Sequence, residues 1–313
     1  MPAPLYWKSK ILLAKIETTY GTDSAPTGAL NAILATEVKI QPMEGSDVSR
    51  DLELPYLGGQ GTIPNELHAK LTFRVELAPS GTAGTAPGWG VLLRACGVAQ
   101  VINAATSVVY NPISANHESA TIHLWIDTTR YVIRGTRGTA KIMVSAQGIP
   151  YIEYSFTGLF AAPAETVRPS PVTLTAFQKP QVGTSTNTPV FTINAVAFVM
   201  RSFTLDLKNA VEPRFLIGAE QILITQREEE VETVVEAQPL TAFNPFTLAQ
   251  NQTSVPVVLT HGTGAGKIST LNMPAAQVQR LQGLESAQDI KEWPLRLAPL
   301  PVAGNDQWTL TLT

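Results

Sequence analysis

The chain has 313 residues, 44% hydrophobic and only 15% charged, with a formal net charge of −3 and one cysteine. A lone cysteine excludes an intrachain disulfide, and the slightly acidic balance argues against a broad electrostatic grip on nucleic acid, which needs a basic face. Charge well below the ~25% usual for soluble domains implies that other subunits cover much of the surface.

In chain order, the first 35 residues carry turn material ("YGTDSAPTG", 20–28) and read as an extended arm rather than core. No apolar run of signal-peptide length precedes Lys15 and Glu17, so a cytoplasm-made protein is expected. "AKLTFRVELA" (69–78) alternates Leu71, Phe73, Val75 and Leu77 against Lys70, Thr72, Arg74 and Glu76, the pattern of a half-buried antiparallel strand. "APGWGVLLRACG" (86–97) reads as a short helix. Pro87 suits its start and Gly97 its stop, and Trp89, Leu92, Leu93 and Cys96 form one apolar stripe. "ATIHLWIDT" (120–128) alternates again, and an apolar strand, "YSFTGLFAAP" (154–163), runs into a Pro- and Ala-rich stretch (162–171) that reads as a boundary.

Beyond the boundary, "FTINAVAFVM" (191–200) is far shorter than the ~20 residues that span a bilayer. "FTLDLKN" (203–209) alternates, and "TQREEEVETVVEAQ" (225–238) is a strand with one acidic face. "NPFTLAQN" (244–251) reads as a helix capped by Asn244, started by Pro245 and ended by Asn251. "VPVVLT", "KISTLNM" and "WTLTLT" complete the strands. The fold class expected is mainly β: an antiparallel sandwich or barrel with short flanking helices.

The halves look related. Gly58 matches Gly218, and Val75, Glu76 and Pro79 match Val235, Glu236 and Pro239 at the same spacing. Each match is followed by a Pro-started helix, a pair of strands and a closing apolar strand that ends in prolines. Two units in tandem, residues 1–168 and 169–313, are therefore expected, with superposable strand connectivity.

No catalytic constellation survives counting. "THGTGAGKISTL" (260–271) suggests a phosphate-binding loop, but the first glycine of that motif falls on His261 and its Ser/Thr on Ile268. The stretch reads instead as a Gly-rich hairpin turn. His68, His117, His123 and His261 have no metal-ligand spacing and read as surface or edge residues. Cys96 lies on an apolar stripe and reads as core rather than nucleophile. No cofactor, metal, catalysis or membrane is expected.

Several stretches together resemble the major tail tube proteins of long-tailed, non-contractile bacteriophages. They are "KIETTYGTDSAPTGALNAIL" (15–34), "VSRDLELPYLGG" (48–59), "LTFRVELAPSGTAGTAPGWGVLLRACG" (71–97) and "PVAGNDQWTLTL" (301–312). The resemblance implies packed antiparallel sheets, rings stacked into a tube, and a lumen through which genomic DNA passes without specific binding. It also implies a virion protein assembled in the host bacterial cytoplasm. Implied partners are further copies of the chain, a tail terminator, distal tail proteins and a tape measure protein. A ring of three two-unit chains with pseudo-sixfold symmetry is favoured, with a hexamer as the alternative. An acidic lumen suits Glu228, Glu230, Glu232, Glu236 and Glu76. Arg50, Asp51, Arg214 and Lys267 are candidate contacts between subunits or rings, and residues 20–28 and 80–88 are candidate arms. The competing reading is a β-sandwich adhesion module, for tail decoration or receptor binding.

Overall fold

The protein is described by a computed structural model covering residues 4–313; residues 1–3, the head of the N-terminal stretch read above, lie outside the described residues. The first half contains β1 (Lys10–Ile16), α1 (Gly28–Asn31), β2 (Ala32–Ile33), β3 (Thr36–Ser49), β4 (Thr62–Glu76) and α2 (Gly90–Arg94). It continues with β5 (Val98–Asn103), β6 (Ser107–Pro112), β7 (Ala120–Ile126), β8 (Thr129–Ser145), β9 (Tyr151–Leu159) and β10 (Ala164–Glu165). The second half contains β11 (Val190–Ile193), β12 (Val196–Ala197), β13 (Met200–Asp206), β14 (Asn209–Leu216), β15 (Ala219–Arg227) and β16 (Glu230–Glu236). After α3 (Pro245–Gln250) come β17 (Ser254–His261), β18 (Ser269–Val278), β19 (Glu285–Ala287), β20 (Ile290–Pro299) and β21 (Thr309–Leu312).

All pairings among the described residues are antiparallel. In the first half they run β3–β4–β9–β8–β7–β1. In the second they run β13–β16–β20–β18–β17–β11. α2 lies between β4 and β7, and α3 between β16 and β17. The first half adds the β5–β6 hairpin after α2. The second half extends β13 and β16 outward as the β14–β15 hairpin.

The halves join twice. β13 pairs with the C-terminal part of β8, from Ser202↔Ser145 to Asp206↔Lys141, and β21 bridges β18 and β6. A single hydrophobic cluster draws on both halves, including Phe73, Tyr154 and Phe156 from the first and Phe203, Trp293 and Trp308 from the second. Period-two alternation places these residues on the inner faces, so water is removed from both layers at once. β8 passes from one layer to the other through a bulge at Arg134–Arg137. Gly135 sits there with φ +57°, and a Cβ would meet the Tyr20 ring at 2.7 Å, so only glycine fits this bend.

Several expectations are corrected. Residues 10–16 are not an arm: Leu12, Leu13 and Ala14 are buried and β1 pairs with β7 along its whole length. A run apolar on both faces suits a strand covered on both sides, and such a run shows no alternation to read. The 20–28 turn is anchored on its own chain. Glu17, buried beneath it, accepts hydrogen bonds from Ser119, Thr121 and the backbone N–H groups of Gly21 and Gly135. Asp23 meets His123 Nε2 at 3.0 Å. The 80–88 turn is tied at Gly81, whose N–H donates to Gly266 O at 2.9 Å, to the turn between β17 and β18 of its own chain. His68, His123 and His261 are buried rather than superficial. α2 spans five residues instead of the twelve expected, although its stripe is core as expected: Trp89, Leu92, Leu93 and Cys96 are all buried.

Candidate assembly surfaces

Strands β3, β4, β9, β8, β13, β16 and β20 form one continuous sheet whose inner face is core and whose outer face is polar. Opposite residues across an antiparallel pair share a face, so the outer face can be read from the register. Arg74 lies opposite Glu153 and bonds it at 2.7 Å. Lys141 meets Asp206 at 3.0 Å across the junction of the halves. Arg201 clasps Glu292 at 2.9 Å, and Arg296 reaches Glu232 at 3.7 Å. Glu230 is nearly covered between Lys208 and Arg296. Burial pushes its carboxyl up, but the hydrogen bonds from these two cations outweigh burial and hold it below the ordinary carboxylate range.

Of the residues expected to form an acidic lumen, Glu76, Glu230, Glu232 and Glu236 fall on this one face, by alternation along β4 and β16. Glu228 does not lie on the strand; it sits in the bend between β15 and β16, bonded by Gln226. The face is less acidic than the run of glutamates suggests, because cations from β4, β8, β13 and β20 lie among them. Alternation already placed Arg74 on the face of Glu76, but the cations of β8, β13 and β20 were not legible, since each lies far from its carboxylate along the chain.

The candidate contact residues do not converge. Arg50 and Asp51 follow β3, Arg214 lies on β14 and Lys267 lies in the β17–β18 turn, all exposed. That turn is the Gly-rich stretch: His261 and Ser269 pair at its base, and Gly262, Gly264 and Gly266 all have positive φ. It is a hairpin turn built on glycine backbone freedom. Among the described residues no cluster of three His, Cys, Asp or Glu side chains is placed to hold a metal ion.

Two other features stand out on the surface. The outer half of the β3–β4 hairpin and its tip are exposed, with Val48, Leu54, Tyr56, Leu57 and Ile63 in solvent. Apolar side chains so far from a core mark a surface built to be covered. The second feature is two open edges of the continuous sheet: among the described residues, β3 pairs with β4 alone and β19 with β20 alone. Open edges are templates for strand addition.

A family model for phage tail tube proteins matches residues 7–312. The chain belongs to the phage tail tube protein family. Its role is structural, as a component of the virion tail. No curated protein matches the chain. The antiparallel sheets and short helices are those expected of a tail tube protein. Among the described residues of this one, no helix is long and apolar enough to cross a membrane.

Proposed function

We propose that the chain assembles into rings of three copies, each contributing two tube-like units, and that stacked rings form a tube whose lumen passes duplex DNA. The observation that carries this reading is the matching strand order of the halves, β3–β4–β9–β8–β7–β1 and β13–β16–β20–β18–β17–β11. One chain already sets one such unit beside another through β8–β13 pairing. Repeating that step closes a ring, and closure removes the open edges.

Geometry favours three copies over six. Each chain brings β3, β4, β9 and β8, then β13, β16, β20 and β18–β19. With strands ~4.8 Å apart and tilted by roughly 40°, about 24 strands close at a backbone diameter of roughly 48 Å, and a hexamer at about twice that. The smaller barrel admits a duplex with far less slack than the larger one, which suits directed passage.

The polar sheet face lines the lumen in this reading. Ion pairs consume much of its charge, so it offers the phosphate backbone few free cations to hold. Glu76, Glu232 and Glu236 supply the residual repulsion. Siphovirus-type tails, the terminator, distal tail and tape measure partners, and assembly in the host cytoplasm follow from the same reading. Image averaging of purified tubes, with the ring mass, tests it: threefold rings are expected, and six chains per ring would overturn the stoichiometry. Changing Glu76, Glu232 and Glu236 to Lys should leave tubes intact but slow DNA ejection at low salt. Unchanged ejection would remove the lumen assignment.

A further inference from the structure

We propose that the free edge of β3 pairs with the free edge of β19 in a neighbouring copy, antiparallel, with Lys39 opposite Glu285 and Ile40 opposite Leu284. This rests on the ring assembly above and specifies which surfaces make it. The template is inside the chain. β13 is flanked on one side by β16 and on the other by β8. Among the described residues, β3 is flanked by β4 only.

The register transfers residue by residue. Leu71 lies between Ile40 and Phe156, and Val231 between Leu205 and Leu297. Ile40 therefore stands where Leu205 stands, and Lys39 where Thr204 stands. Both hairpins carry a bulge at the same end, between Thr36 and Lys39 in one and between Met200 and Ser202 in the other. Likewise Glu76 pairs with Tyr151, and Glu236 with Glu292. Tyr151 pairs with Met143, and Glu292 with Glu285. Glu285 therefore stands where Met143 stands, and Leu284, the residue just before β19, falls where Ile142 stands once the register is continued by one residue. Within the chain, Leu205 pairs with Ile142 and Thr204 with Met143. Between copies, the same geometry sets Ile40 against Leu284 and Lys39 against Glu285.

The side chains suit these partners. Leu205 and Ile142 are fully buried, whereas Leu284 is 59% exposed and Ile40 is only half-buried against the core. Two apolar residues left open at equivalent positions are what the junction needs to become core. On the opposite face, Lys39 and Glu285 are both exposed and of opposite charge. Directly opposed unlike charges on neighbouring strands favour this register over slipped ones.

The outer hairpins agree. β14–β15, which extends β13 and β16, lies against the first half, where Ile222 O accepts from Arg137 and Ile222 N–H donates to Tyr20 Oη. The outer half of β3–β4 extends its hairpin in the same way but lies in solvent. On a neighbouring copy it lies across the second half.

The test uses the full chain assembled into tubes. A Lys39→Cys, Glu285→Cys variant should form a disulfide between copies on oxidation, giving covalent trimers on a non-reducing gel. Val48→Cys with Glu285→Cys, away from the register, should not. Leu284→Asp, at an exposed position, should keep the monomer's melting temperature and abolish rings. Rings formed normally by Leu284→Asp, or rings of the first variant that fail to cross-link, would overturn the edge pairing while leaving ring assembly standing. A parent chain that stays monomeric at high concentration would overturn the assembly reading itself, and this inference with it.

Discussion

At the residue scale, two buried histidines tie distant segments together. His123 packs against Trp125 and bonds Asp23, fixing the 20–28 turn. His261 bonds Thr188 Oγ1 through Nδ1 and Gln181 O through Nε2, fixing the connection between the halves. Burial lowers the pKa of both, although Asp23 pulls His123 the other way and the Gln181 carbonyl pulls His261 the other way. A basic group with a depressed folded pKa binds fewer protons folded than unfolded. Its stability contribution is full above the unfolded value near ~6.5 and is lost as pH falls from there through the folded value. Melting temperature should therefore begin to drop as pH falls below about 6.5, above the range where most carboxylates titrate. His261→Gln should show a shallower drop than the parent; identical slopes would exclude His261 as a source. None of these contacts was legible beforehand, since an isolated histidine in an alternating strand gives no sign of a partner far along the chain.

At the element scale, α3 was read almost to the residue and α2 was not. α3 has strong local signals: Asn244 Oδ1 accepts from Thr247 N–H at 3.1 Å, and Pro245 occupies the first turn. Asn244→Ala should cost about 1 kcal/mol, enough to lower the melting temperature by roughly 2 °C in a chain of this size. An unchanged melting curve would show that tertiary contacts hold this helix without its cap. α2 is short because Gly88 and Gly90 weaken its start, while its stripe is set by burial: Trp89 Nε1 donates to Ala78 O at 2.8 Å and its ring meets Tyr110. The long strands were legible from alternation. β1 was not, because "KILLAKI" is buried on both faces and lacks that pattern.

At the scale of the whole molecule, the halves share a core cluster and a sheet, joined by β8–β13 and β6–β21. Cutting between them would expose Phe203 and Leu205 of β13 and the Val108 edge of β6, all buried in the whole chain. Calorimetry of the unassembled chain should therefore show one cooperative transition, and residues 1–168 expressed alone should not reach the native melting temperature. Two separated transitions would show that the halves are independent folding units despite the shared sheet.

The sequence by itself determined the β class, the hairpin turns, α3 and the hydrophobic positions, because period-two alternation, proline and glycine act within a few residues. It also excluded a phosphate-binding loop by counting. Tertiary structure alone decided that the N-terminal segment is core, that the glutamates of β16 face cations from other strands, and that β3 and β19 are left with open edges. Those outcomes depend on which strands become neighbours, and strand neighbours are chosen by the packing of the whole chain, not by any local pattern.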